Sequence, residues 1–116
     1  MPVIDSNKEF KEAVKVMSQK KLGIIVITKN KFIRGLMTDG DIRRSIENRS
    51  KEKNIKKFTK NFPLFINENM PASKALAIMN DKKITSLLVV SDKDYKKENK
   101  LLKGIIHIHF ILKNGI

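Results

Sequence analysis

Apolar residues in this chain follow two alternating rhythms, one helical and one strand-like. Phe10, Ala13, Val14 and Met17 recur at three- and four-residue spacing, which predicts an amphipathic helix. The β-branched run IIVIT (24–28) predicts a strand. A turn at Lys29-Asn30 and a second strand, FIRGLM (32–37), follow. Asp39 or Thr38 then suits the N-cap of a helix DIRRSIEN, with acidic residues at its positive end. Further on, Pro71 stands near the start of another helix, where its missing N–H costs nothing. SLLVVS (86–91) and LLKGIIHI (101–108) predict two more strands, followed by a short helix ending at Asn114-Gly115.

The elements repeat. EAVKVMSQKKLGIIVIT (12–28) with FIRGLMTDGDIRRSI (32–46) matches KALAIMNDKKITSLLVVSD (74–92) with LLKGIIHIHFILKNGI (101–116). Met17, Lys20 and Lys21 recur as Met79, Lys82 and Lys83, and Pro2-Val3-Ile4 matches Pro63-Leu64-Phe65. A polar loop, DKDYKKENK (92–100), lengthens the second copy. Each copy reads β-α-β-β-α, so the fold class is α+β. A unit of about 50–55 residues buries too little surface to stand alone. Two copies packed sheet to sheet as a pseudo-twofold pair would share a core. The expected boundaries are 1–50 for the first repeat, 51–61 for a basic connector and 62–116 for the second repeat, with Ile55 and Phe58 pinning the connector down.

Composition narrows the chemistry. The 116 residues include no Cys, which excludes disulfides, thiolate metal sites and a Cys nucleophile. No apolar run approaches the roughly 18–20 residues that span a bilayer. The opening MPVIDSNKEF lacks the basic and apolar regions of a signal peptide, so a cytoplasmic protein is expected, read as a piece of something longer. The net charge of +13, from 25 basic and 12 acidic residues, suggests an anionic partner. Abundant Lys together with Asn and Ile also fits a compositional bias spread over solvated faces. KEKNIKKFTK (51–60) has no aromatic stacking pattern, so it reads as a solvated linker rather than a nucleic-acid site. No P-loop, G-x-G-x-x-G or supported Ser/His/Asp triad occurs. Asp39-Gly40-Asp41 lacks the EF-hand spacing.

A β-α-β-β-α repeat whose second strand ends in G-h-h-T-x-x-D, here GLMTDGD, resembles the CBS (cystathionine β-synthase) domain. Two in tandem resemble a Bateman module. MPVI, KKLGIIVI, GLMTDGDIRRSIE, KKITSLLVV and GIIHIHFILKNGI are similar to the C-terminal CBS pair of arabinose-5-phosphate isomerases, which open the synthesis of the lipopolysaccharide sugar Kdo. The resemblance implies that catalysis belongs to an absent N-terminal SIS (sugar isomerase) domain, so no catalytic residue is expected here. It also implies a homodimer through CBS pairs, and a tetramer with the full-length parent.

In nucleotide-binding CBS domains the motif's Thr and Asp lie beside the ligand, which here means Thr38 and Asp41. Thr38 would turn its hydroxyl toward a phosphate or ribose, and Asp41 would accept from ribose hydroxyls. Arg43 or Arg44 would reach a phosphate. Lys21, Leu22, Gly23, Val3 and Ile4 are further expected contacts. The ligand would be AMP, ATP or a cytidylate-linked sugar in the cleft between the repeats; no cofactor is firmly implied. Thr-x-x-Asp is also an ordinary capping arrangement. In the second copy Gly104 matches Gly35, but Thr38 becomes His107 and Asp41 becomes Phe110, which cannot accept ribose hydroxyls. Phe110 would fill the cleft or pack in a dimer interface, leaving at most one ordinary nucleotide site. His107 and His109 form H-x-H on one strand face, but no third metal ligand adjoins them. Sugar or phosphate contact, or packing, is their expected role. The rival readings are a ligand-free oligomerisation module and a basic nucleic-acid-binding domain.

Overall fold

The computed structural model of the chain describes residues 1–20, 23–48, 54–56 and 65–108. The chain divides into two compact units, Met1–Phe62 and Pro63–Ile116. Three helices and two three-stranded sheets make up the described residues.

In the first unit, β1 (Val3–Asp5), α1 (Phe10–Lys20), β2 (Ile24–Lys29), β3 (Phe32–Thr38) and α2 (Asp39–Glu47) follow in order. The middle strand is β2, parallel to β1 and antiparallel to β3. That position explains its unbroken apolar run: Ile24 through Ile27 are all buried, as a strand covered on both faces requires. Ile25, Ile27 and Met37 form a core with Ile4, Ala13, Ile42 and Ile55, and the apolar stripe of α1 packs on it. Ile55 is fully buried in this core, and the adjoining Asn54 bridges to Glu9. The expected connector thus contributes a core residue to the first unit. Phe58 lies outside the described residues.

The hairpin turn falls one residue later than Lys29-Asn30. Lys29 pairs with Phe32, so the loop is Asn30-Lys31, at φ 53° and 73°. Two consecutive left-handed residues are what a two-residue hairpin matched to strand twist demands.

The second unit repeats the plan with β4 (Phe65–Asn67), α3 (Ala72–Lys82), β5 (Ser86–Val90) and β6 (Gly104–His107). Its core is Ile66, Ala75, Met79 and Leu87, with Leu76, Ile78, Ile84, Val89 and Ile106 packed around. Pro71 is the N-cap of α3 rather than a first-turn residue, and it makes no side-chain cap. The last strand is shorter than 101–108 because ladder pairing begins only at Gly104, opposite Val89. Residues 91–103 loop out, held by Asp94: its amide donates to Ser91 Oγ at 3.0 Å and its carboxylate accepts from the Leu101 amide at 3.1 Å. Val3 pairs with Val26 and Phe65 with Leu88. The repeats therefore align Val3 with Phe65, one residue away from the match of Pro2 with Pro63. The expected final helix, and Phe110 with it, lie outside the described residues.

Candidate functional site

The strand β3 ends at Thr38, paired with Ile24, and the chain turns directly into α2. Thr38 is the N-cap, extended at φ −106° and ψ 164°, which resolves the choice between Thr38 and Asp39. Its Oγ accepts from the Asp41 amide at 3.1 Å, and its own amide donates to Asp41 Oδ2 at 2.8 Å. This reciprocal pair is a capping box. The Thr38 hydroxyl also lies 3.1 Å from Oδ2, as donor. Arg44 Nη2 donates to the other oxygen, Oδ1, at 2.7 Å. The Asp39 amide donates to the Gly23 carbonyl at 2.9 Å, which ties the helix start to the residue just ahead of β2. Gly23 sits at φ +73° with open space where a Cβ would stand, so backbone conformation rather than crowding favours glycine there.

Around this box the positive groups gather. A Cβ on Gly40 would lie 3.1 Å from Arg44 Nη1 and 3.7 Å from Arg43 Nη2. A side chain there would press on the flexible end of Arg44 and leave Arg43 at ordinary contact distance. The resemblance drew attention to Thr38, Asp41, Arg43 and Arg44 and passed over Gly40, whose nearness to both guanidinium groups shows only once α2 is built.

The arrangement constrains what Asp41 can do. Its side chain is 14% exposed. Oδ2 already takes two donors, and Oδ1 takes Arg44. A ribose hydroxyl must therefore use the remaining lone pair of Oδ1 or displace Arg44, whose side chain is 62% exposed. Exposed pairs of this kind contribute about 0.2–1 kcal/mol. Hydrogen bonds to a charged group contribute about 1.5–3 kcal/mol each. The exchange favours a ligand that brings donors of its own.

The remaining expected residues scatter in role. Val3 faces outward at 37% exposure, while the Ile4 side chain lies in the core. Lys21, Leu22 and His109 lie outside the described residues. His107 stands opposite Ser86 as Thr38 stands opposite Ile24. The bond from Ile108 N to Thr85 O, 2.8 Å, matches that from Asp39 N to Gly23 O. His107 thus occupies the Thr38 register, half-buried. Among the described residues no three His, Cys, Asp or Glu side chains form a group able to hold a metal. No helix among them is long and apolar enough to cross a membrane.

The chain matches the CBS domain family model over residues 1–48 and again over 55–113. It is 33% identical over 98 residues to a probable arabinose 5-phosphate isomerase of Haemophilus influenzae, covering 82% of this chain and 29% of that protein. It is 29% identical to the arabinose 5-phosphate isomerase KdsD of Yersinia pestis, over all of this chain and 34% of that one. The chain spans about a third of the length of the curated relatives it matches. Among solved structures, the CBS domain protein PAE2072 from Pyrobaculum aerophilum, complexed with AMP, superposes with a TM-score of 0.78. The identity is 19%, covering 97% of this chain and 88% of that one. This likeness shows the fold, a pair of CBS units.

Proposed function

The chain belongs to the CBS domain family, and from that premise we propose that it is the regulatory, ligand-sensing CBS pair of an arabinose-5-phosphate isomerase. In this reading the isomerase chemistry belongs to residues outside the chain, and the whole works in the cytoplasm on the route to Kdo and lipopolysaccharide. The relatives named KdsD support the parentage. The ligand is a nucleotide or nucleotide-sugar, AMP, ATP or a cytidylate-linked sugar, seated at the start of α2.

One observation carries the ligand reading: Arg43 and Arg44 close over the bare backbone of Gly40 beside a shielded carboxylate, Asp41. A nucleotide offers both complements, phosphate oxygens for the guanidinium fork and ribose hydroxyls for Asp41. Arg44 would leave Asp41 for the phosphate as the ribose takes its place. Regulation then requires the ligand to favour one arrangement of the parent enzyme over another.

A thermal-shift panel of AMP, ATP, CMP and a cytidylate-sugar tests this on the wild type, Asp41→Asn and Arg44→Ala. At least one ligand should raise the wild-type melting temperature by several degrees at about 100 times its Kd. Both variants should lose most of that rise. No shift with any ligand, or equal shifts in all three proteins, would sink the reading.

A second reading is favoured by Ile46, which is 64% exposed on α2, and by the internal satisfaction of Asp41 Oδ2. Here the module binds no ligand and assembles the parent, as a homodimer within a tetramer. Light scattering across a concentration series should show a dimer that Ile46→Glu abolishes; a monomer at every concentration counts against it.

A further inference from the structure

We propose that Arg44 gates the site at the start of α2, so that the site admits a phosphorylated nucleoside and turns away the free nucleoside. The inference rests on the nucleotide reading above and names the ligand group that opens the site, its phosphate.

The gate follows from how Asp41 is occupied. Oδ2 is held inside the capping box, accepting from the Thr38 amide at 2.8 Å and lying 3.1 Å from the Thr38 hydroxyl. Those bonds close the helix start, so Oδ1 is the oxygen that a ligand can claim. It already accepts from Arg44 Nη2 at 2.7 Å. The two residues lie three apart on α2, where side chains meet without any backbone movement. The Asp41 side chain is 14% exposed, whereas that of Arg44 is 62% exposed. Arg44 is therefore a built-in occupant of the acceptor that a ribose needs, and it can swing away without disturbing the core.

What differs between ligands is what Arg44 receives on leaving. A free nucleoside offers neutral hydroxyls to Asp41 and nothing to the guanidinium. The carboxylate then gives up a charged donor for neutral ones, and the cation returns to water unpaired. The exchange gains little. A nucleotide offers the same hydroxyls and a phosphate besides. Arg44 then passes from one anion to another, and its planar fork suits phosphate oxygens at two points. Gly40 leaves that movement uncrowded, since Arg44 Nη1 lies only 3.1 Å from where a Cβ would stand.

Isothermal titration calorimetry of the 116-residue chain tests the gate, with adenosine and cytidine beside AMP, ATP, CMP and a cytidylate-sugar. At least one nucleotide should bind the wild type about tenfold or more tighter than its nucleoside, the weight of a charge-assisted hydrogen bond. Arg44→Ala should weaken that nucleotide by about tenfold or more. In the opposite sense, it should tighten the nucleoside by up to about fivefold, because the exposed ion pair no longer has to be broken. Arg44→Gln, which keeps much of the reach without the charge, should move both ligands in the same directions. Opposite responses of the two ligands are what a merely structural or long-range electrostatic role for Arg44 would not give. Lys15→Ala, which removes one positive charge from an exposed position on α1, should leave both affinities as in the wild type. If a nucleotide binds the wild type and is lost in Asp41→Asn, while both Arg44 variants leave the nucleosides unchanged or weaker, the gate is wrong and the nucleotide reading stands. If none of the nucleotides binds the wild type, both fall.

Discussion

In the first repeat, β3 runs into a helix whose opening turn is closed by Thr38, Asp41 and Arg44. In the second, the same register of the same strand holds His107, and no Thr-x-x-Asp follows it. Between the two, the backbone bond at the strand end is kept, 2.9 Å from Asp39 to Gly23 and 2.8 Å from Ile108 to Thr85. So is the parallel-then-antiparallel pairing of the middle strand. The connections differ as well: two residues join β2 to β3, whereas residues 91–103 join β5 to β6. Pairing and apolar burial hold the frame, while strand ends and loops, which carry little of the core, are free to lose or keep chemistry. The two repeats thus share how they fold and differ in the side chains that their strand ends present.

The largest expected difference between the repeats lies in a residue they share. Met79 is fully buried in the second core, whereas its counterpart Met17 only packs against the edge of the first. Met79→Ala should cost about 2–5 kcal/mol, the range for emptying a closed core site. Met17→Ala should cost roughly half as much or less, because solvent already reaches it. Urea denaturation of both variants measures this. Equal losses would mean that the two helices are seated alike and that the asymmetry does not reach the cores.

A smaller effect is expected at the strand ends. Thr38→Ala removes the cap and should cost about 1 kcal/mol, within the 0.5–2 kcal/mol usual for such caps. Thr38→Ser should restore most of it, because the hydroxyl rather than the methyl makes the box. Hydrogen exchange localises the loss: amides of α2 should exchange faster while those of α3, which starts at Pro71 without a side-chain cap, stay unchanged. If Thr38→Ala costs nothing, the Thr38–Asp41 pair is not serving the helix, which would strengthen its assignment to a ligand.

Most of the frame was legible because period and burial agree. The stripe on α1 and the apolar run of β2 each name their element, and the repeat of Met and Lys spacings marks the two copies. What was not legible is where local geometry overrides pattern. Asn30-Lys31 was missed by one residue because Lys is no signal for a left-handed turn. The onset of β6 was placed too early because Leu101 and Leu102 look like strand although, beyond a lone bridge at Leu101, the ladder starts at Gly104. At the site, Thr38 and Asp41 were legible from their motif. Their mutual satisfaction was not, because a capping box and a ribose site use the same residue types at the same spacing. Arg34 gave no signal at all: the bulge that sets it apart from the ladder exists only in three dimensions.

The hairpin offers the finest comparison. Lys31, at φ 73°, holds a left-handed conformation that an L side chain rarely adopts, while the long loop of the second repeat is held instead by Asp94. Asn-Gly is the favoured pair for a two-residue turn of this kind. Lys31→Gly should therefore stabilise the first unit by up to about 1 kcal/mol, the Cβ strain removed less the extra freedom glycine has when unfolded. Thermal melts of Lys31→Gly beside Lys31→Ala measure it, since alanine removes the same charge and keeps the strain. If alanine stabilises as much as glycine, the gain comes from relieving the crowd of positive charge around Lys29 and Arg34, not from the backbone.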